Sequence, residues 1–429
     1  SADVAVVAAA ADTGLRDLED LDRRWFLGPA RTEVDEALDE LRERTDTLDK
    51  LARLSHDALP YLGADGPQRG FVLVCTPAEA RASCGFPGNW VEFVIDDGAA
   101  DLVDSGRINS LEVDAVEAGL TLSDPPEFVA HYGRFDPVPT LRNISLTPDF
   151  PSSAEALATA LDELGRPRPD VIAAVNTDGL EGVLRVTGPV DTGPMGVLDS
   201  SNVRDRLDVE QYNRFETQGE RTDALEEASR AVVEAVTMLA NLDAAAVRRL
   251  SEPIDRGGML AWVPGEPDNV FVEMGVSGAL PAEPIAGVTA QNSAANKLDA
   301  FRSVSMTLTP STDRTAGCGT VELALGEAPA GSPAYVVDNA VGLPTGWTKS
   351  WVSIYTPTPV LSATLDGEPV ELERREEFGH PVVALFVDTA PNSTSTIEFE
   401  LQQGATDEPV TLVQPSVQPY TVTLTDHCG

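Results

Sequence analysis

Hydrophobic positions recur at helical spacing through the first 62 residues. Leu15, Leu18 and Leu21, then Val34, Leu38, Leu41, Leu48, Leu51 and Leu54, sit among Asp, Glu and Arg. Leu27-Gly28-Pro29 breaks the run in two. The pattern predicts an antiparallel helical pair or a stalk that carries the next domain off a membrane. Gly63-Ala64-Asp65-Gly66-Pro67 is a turn cluster and a domain boundary. Gly70 to Cys75 then reads as a buried strand, and Trp90 to Ile95 as a second. Thr76 to Ser83 connects them, and Asp96-Asp97-Gly98 is a hairpin turn. Residues 99–140 alternate strand-like pieces with Pro-rich loops.

The stretch from Arg142 to Val190 has the clearest grammar. A turn-rich piece, Thr147 to Pro151, precedes a helix that Ser152 or Ser153 can cap. Ala156, Leu157, Ala160, Leu161 and Leu164 form its apolar face, and Gly165 and Pro167 stop it. Val171 to Val175 is a continuous apolar run, as expected of a strand buried on both faces. Asn176 to Gly179 turns the chain, and Leu180 to Arg185 adds a helical turn or two. Loop, helix, buried strand and helix together predict an α/β domain. A short helix follows near Ser200 or Ser201. Arg221 to Leu250 reads as one long helix, with Leu225, Ala228, Val232, Val233, Val236 and Leu239 on its apolar face. Arg256 to Val263 and Asn269 to Met274 read as strands, Gly287 to Lys297 as a polar loop, and Leu298 to Leu308 as the start of a long strand.

From about Pro310 the helical period disappears. Thr320–Leu325, Lys349–Thr356, Val360–Leu365, Val382–Val387, Thr396–Leu401 and Tyr420–Leu424 are short Val-, Thr- and Tyr-rich runs between Pro and Gly. Asp366-Gly367 is a hairpin signal among them. The expected architecture is an α/β core, a mixed sheet flanked by helices, with an N-terminal helical segment and a C-terminal all-β sandwich-like domain. The boundaries fall at 1–62, 63–310 and 311–429.

Charge changes the picture of partners. The 429 residues carry 70 acidic and 30 basic side chains, a formal net charge of −40, and their only lysines are Lys50, Lys297 and Lys349. Such a surface repels nucleic acid and anionic headgroups. An anionic ligand needs a local basic pocket. No apolar run reaches the ~18 residues of a membrane span, and the start at Ser1 suggests an ectodomain whose N-terminal anchor was removed. The four cysteines, Cys75, Cys84, Cys318 and Cys428, allow three pairings. Cys75–Cys84 and Cys318–Cys428 are favoured, which points to an extracellular or cell-surface location. Zinc and reduced thiols are the competing readings.

Arginine chemistry supplies the candidate site. The fork of Arg81 or Arg142 matches phosphate oxygens in bidentate fashion. The competing role for each is a structural ion pair with one of the many carboxylates. Lys297, in a polar stretch, can help hold an anion or be a solvated loop charge. Asp149 and Asp178 are candidates for a base or metal ligand, although turns favour Asp in any case. The nucleophile-elbow, P-loop and dinucleotide glycine motifs are absent. His56, His131, His380 and His427 have no triad spacing.

Several of these pieces resemble, in order, a bacterial and mainly actinobacterial envelope family, domain of unknown function 4012. They are LPYLGADGPQRGFVLVCTPAEARASCGFPG (59–88), ISLTPDFPSSA (144–154), PDVIAAVNTDGLEGVLRVTGPV (169–190), NSAANKLDAF (292–301), SPAYV (332–336) and VSIYTP (352–357). The resemblance implies an extracytoplasmic protein behind a transmembrane helix. The family core is in turn similar to the LytR-CpsA-Psr glycopolymer ligases. Those phosphotransferases move a polymer from a polyprenyl diphosphate to an acceptor hydroxyl, with arginines on the diphosphate and a Mg²⁺ ion. Carried over residue by residue, Arg81 matches the arginine between the first two strands, and Arg142-Asn143 the basic-x-Asn motif, here without the intervening residue. Arg221 matches the arginine that opens the last core helix. The ligases' aspartates have no counterpart, because no Asp lies between Gly70 and Ile95. The resemblance therefore implies phosphate binding by Arg81, Arg142 and Arg221 beside Asn143. With the candidates from residue chemistry, the expected phosphate site is Arg81, Arg142, Arg221 and Lys297, with Asn143, Asp149 and Asp178 in support and the catalytic residues unassigned. A polyprenyl-diphosphate glycopolymer or a cell-wall glycan is the implied partner. A non-catalytic surface protein that binds glycan or protein partners is the alternative.

Overall fold

The computed structural model describes residues 56–215, 217–237, 244–312, 314–404 and 407–428, with scattered positions between 12 and 54. Most of the leucine-rich N-terminal pattern lies outside the described residues, as does Leu27-Gly28-Pro29. Leu15, Leu38 and Leu54, which are described, are helical. The chain divides into two compact units, Ser1–Gln68 with Ile95–Ala99, and Arg69–Val94 with Ala100–Gly429. In the first unit Gly63 sits at φ +80°, and a Cβ there would meet the Ile95 carbonyl oxygen at 2.6 Å. Only glycine allows that approach. It lets Asp97 and Gly98 donate backbone hydrogen bonds to Gly63 and Leu62.

The α/β sheet has the order β3-β2-β1-β4-β5. Its strands are β1 (Gln68–Thr76), β2 (Phe86–Asp96), β3 (Ala99–Arg107), β4 (Val171–Val175) and β5 (Met259–Trp262). β1 and β4 are parallel, with Val74 opposite Val175, and β5 is antiparallel to β4. The main helices are α1 (Ile108–Ala118), α2 (Pro126–Tyr132), α3 (Phe150–Glu163), α4 (Thr177–Thr187), α5 (Gln218–Thr237) and α6 (Ala244–Asp255). Phe71, Leu73 and Cys75 of β1 join Ile172 and Ala174 of β4 and Leu157 and Leu161 of α3 in one dry core.

Several local expectations need correction. α3 is capped by Asp149, which accepts from the Ser152 amide at 3.1 Å, and not by Ser152 or Ser153. Val270–Glu273 is a helical turn capped by Asn269, not a strand, because the Asn269 carboxamide accepts the Phe271 amide. Asn176 caps α4, so the expected turn is already its first helical turn. β4 is not buried on both faces: Ile172 and Ala174 are core residues, while Val171, Ala173 and Val175 are half-buried. The helix expected over Arg221–Leu250 is seen as α5 and α6. Residues 238–243, including Leu239, and the side chains of Val233 and Val236 are outside the described set.

Two β-sheets pack face to face in the C-terminal half. One orders Glu368–Pro369, β10 (Val360–Leu365), β13 (Ser393–Leu401), β8 (Cys318–Leu325), β7 (Arg302–Thr309) and β14 (Tyr420–Leu424). The other orders β11 (Glu373–Glu377), β12 (His380–Thr389), β9 (Thr348–Tyr355), β6 (Ile285–Asn292) and Val410–Thr411. The core between them holds Val288, Ala290, Val352, Val383, Leu385, Met306, Val321, Ile397 and Phe399. The expected polar loop from Gly287 begins as β6, all of whose residues are buried. Its Thr289 and Gln291 looked loop-like, but they occupy the second face of a strand whose first face is core. The strand expected from Leu298 begins only at Arg302, after a 3₁₀ turn over Leu298–Phe301.

Both favoured disulfides are present, Cys75–Cys84 and Cys318–Cys428, with Cα separations of 5.8 and 5.9 Å. A buried polar cluster ties the α/β part to the sandwich. Glu377 of β11 accepts hydrogen bonds from Tyr132 and Thr147 on one side, each at 3.2 Å, and from Tyr355 of β9 on the other. Burial raises the Glu377 carboxyl above its ordinary range, although those hydroxyls oppose the rise.

Candidate functional site

The half-buried face of β1 and β4 opens onto a cavity of about 1050 Å³. This is at the upper end of the volumes usual for small-molecule sites, about 300–1,000 Å³. Val72, Val74 and Val175 form one wall. The side-chain alternation of a strand puts these residues on the face opposite Phe71 and Leu73. The facing wall is α5. Its Arg221, Leu225, Ala228 and Val232 line the cavity at spacings of four, three and four residues, which is one helical face. From Arg221 to Val232 that face runs about 16 Å.

The polar end is built on the loop between β1 and β2. The Cys75–Cys84 disulfide closes this loop, and Gly85 (φ +101°) turns it so tightly that a Cβ would meet the Thr76 carbonyl oxygen at 2.6 Å. Glu79 and Arg81 are buried within it, Arg81 to 5% exposure. Arg81 donates to Glu79 at 2.9 Å, to the carbonyls of Ala80 and Asn292 at 3.0 and 3.2 Å, and to the Asn143 side-chain oxygen at 3.2 Å. Lys297 forms an ion pair with the other oxygen of Glu79, and its ammonium stands 4.6 Å from the Phe86 ring centre. Burial alone would raise the Glu79 pKa. The charges of Lys297 and Arg81 overcome that and hold it below the ordinary carboxylate range.

The four sequence-proposed cations therefore line one cavity, but they are not equivalent. Arg142 forks onto Glu112 of α1, with Nε contacts of 2.8 and 3.0 Å, and its side chain is 39% exposed. Arg81 and Lys297 share Glu79. Arg221 is only 8% exposed and has no carboxylate partner among the described residues. Its guanidinium packs against two neighbouring aromatic rings, 5.0 Å from the centre of Tyr212 and 4.5 Å from that of Tyr335, which are themselves 6.0 Å apart. Its Nε is buried and has no hydrogen-bond acceptor among the described residues. Aromatic faces offset a cation in part, so Arg221 retains the capacity to take an anion from the cavity.

The supporting residues separate. Asn143 is at the site, accepting from Arg81 and donating to the Phe135 carbonyl at 2.8 Å. Asp149 and Asp178 are not among the lining residues. Asp149 is committed to capping α3 and to the Leu280 amide. Asp178 is buried and paired with Arg204. Beside the wall, Asp208 accepts from Thr177 at 2.9 Å, and burial pushes its pKa up to about 7. Sequence reasoning missed Glu79, Tyr212 and Tyr335. Tyr212 and Tyr335 matter only through cations brought from elsewhere in the chain, whereas Glu79 lies two residues before Arg81 and that proximity was a signal available in the sequence.

A magnesium ion implied by the ligase resemblance does not fit this donor set. Glu79 is the only carboxylate among the described residues that line the cavity, and both its oxygens are engaged by cations. Among the described residues no group of three or more His, Cys, Asp and Glu side chains is placed to share an ion.

Comparison with solved structures finds distant likenesses. The Lin1025 protein of Listeria innocua covers 53% of this chain and 86% of its own, at 10% identity and a TM-score of 0.23. A fragment of Lmo1026 from Listeria monocytogenes covers 52% of this chain and 84% of its own, at 10% identity and a TM-score of 0.20. No curated protein matches the sequence. A family model described as "Protein of unknown function (DUF4012)" matches residues 65–212, a stretch that carries Arg81, Arg142, Asn143 and Tyr212 of the cavity wall and ends before Arg221 and Lys297.

Proposed function

We propose that the protein is an extracytoplasmic envelope protein that binds a polyprenyl-diphosphate-linked glycopolymer in this cavity. The observation that carries the reading is the composition of α5. One helix face presents a buried arginine without a carboxylate partner among the described residues, followed by Leu225, Ala228 and Val232. An anionic head at Arg221 and a hydrocarbon tail along the valines and leucines would satisfy both. The two disulfides support an oxidising compartment. Among the described residues no helix is long and apolar enough to cross a membrane.

Binding without transfer is the better-supported form. A general base needs a pKa near the working pH and access to the ligand. Glu79 is held low by two cations, and Asp208, raised to about 7, is buried behind Thr177 and does not line the cavity. The test is a thermal-shift comparison of farnesyl diphosphate, inorganic pyrophosphate and farnesol. Stabilisation by farnesyl diphosphate, well beyond that from either half alone, is the expected result. Equal shifts with all three, or none, would remove the reading.

A further inference from the structure

The cavity continues past its cations to a part of its wall made by the sandwich. There Gln291, Trp351 and Phe386 lie in one row across β6, β9 and β12, since Gln291 is registered with Trp351 and Trp351 with Phe386. All three line the cavity. Their strand neighbours Ala290, Val352 and Leu385 point the other way, into the sandwich core.

Two features of this row need an occupant. Gln291 is 1% exposed, and both terminal atoms of its carboxamide have no hydrogen-bond partner among the described residues. Phe386 is 46% exposed in the middle of a long strand. Its ring packs at 4.7 Å on Trp351, whose own ring is covered by the Arg134 guanidinium at 4.6 Å. Phe386 is thus the open aromatic of the row, separated from the buried amide by Trp351 and with the Lys349 ammonium 5.5 Å from its ring centre.

The chemistry discriminates among ligands. A carboxamide offers one acceptor and two donor hydrogens. A phosphate could take the donors but would leave the Gln291 oxygen unmet, and a hydrocarbon would meet neither. A group rich in hydroxyls both donates and accepts, and a sugar ring presents a C–H face that packs on an aromatic ring.

We propose that Gln291, Trp351 and Phe386 form a saccharide subsite, through which the sandwich grips the first sugar of the lipid-linked ligand. This rests on the amphiphile reading above and gives the sandwich a direct part in it. The experiment is calorimetric titration with three probes. They are farnesyl diphosphate, the same lipid bearing one N-acetylhexosamine on its terminal phosphate, and the free disaccharide of that sugar. Wild type should bind the glycosylated lipid more tightly than the bare one. Phe386→Ala and Gln291→Leu should each weaken the glycosylated lipid about tenfold and leave farnesyl diphosphate unchanged, which also certifies the fold. If the sugar adds nothing, or both variants bind the two lipids as wild type does, the subsite is wrong and the lipid-diphosphate reading survives. If neither lipid binds but the disaccharide does, with loss in Phe386→Ala, the subsite survives and that reading falls. Silence from all three probes removes both.

Discussion

The polar end of the cavity, its neck, and the Glu377 junction solve opposite problems. At the neck, Arg81, Lys297 and Arg221 line one pocket with a single carboxylate, Glu79, among the described lining residues. At the junction one buried carboxylate is held by hydroxyls of Tyr132, Tyr355 and Thr147. The first has a surplus of fixed positive charge, which protons cannot relieve because guanidinium stays charged. On the proposed reading an anion from outside balances it. The second relieves its charge by taking up a proton, and burial biases it that way. On the proposed reading the neck answers to a ligand, while the junction answers to pH.

The largest expected effect comes from another raised carboxylate, Asp208. Its unfolded value is near 3.8 and its folded value about 7, so between these the native state holds a proton that the unfolded chain has lost. Stability then falls as pH rises through that window, by on the order of 4 kcal/mol. Asp208→Asn should flatten the fall in urea titrations run from about pH 4 to about pH 8. An unchanged slope would show that burial there is relieved by solvent.

Next in size is Glu377→Ala, which strands three hydroxyls and should cost about 3 kcal/mol in denaturant unfolding. Glu377→Gln keeps an acceptor and should cost about 1 kcal/mol. It should also remove the loss of stability that a raised carboxyl contributes as pH climbs past the ordinary carboxylate range. If Gln costs as much as Ala, the charge itself holds the junction and the contrast with the neck fails.

Arg221→Ala tests the neck directly. At a hundredfold excess of farnesyl diphosphate over Kd, it should remove about 2.7 kcal/mol of ligand-induced stability, while the ligand-free midpoint stays the same or rises. A structural arginine would behave the other way, with loss of ligand-free stability and a retained shift. The smallest effect belongs to Arg142→Ala. Its partner Glu112 is buried, but the arginine is 39% exposed, so the pair should be worth within about 1 kcal/mol. The ligand shift should shrink without vanishing.

The strands of the C-terminal half were legible wherever Val, Thr and aromatic residues alternate, as in Lys349–Thr356. They were illegible where polar residues cover both sides of the signal. β6 hid because Thr289, Gln291 and Asn292 imitate a loop, and β11 because Glu373 to Glu377 reads as a charge run. Arg81, Arg142 and Arg221 could be proposed singly from chemistry and resemblance. Their different states could not, since Glu112 reaches Arg142, and Tyr335 reaches Arg221, only through tertiary packing, and the sharing of Glu79 between Arg81 and Lys297 arises the same way. The apolar cavity wall was invisible for the same reason that β4 was misjudged. VIAAV has no polar residue to mark which face lacks a neighbour.

The Cys318–Cys428 bond has a mechanical consequence. β14 is an edge strand that runs parallel to β7, and Cys318 is the first residue of β8, inside the same sheet. Tension applied to the backbone beyond Cys428 therefore bypasses β14 and enters the sheet through β8, which is clamped on both sides by antiparallel ladders to β7 and β13. An edge strand would peel one hydrogen bond at a time; an interior strand must shear two ladders together. The crosslink turns the weakest tether point of the sandwich into one of its strongest.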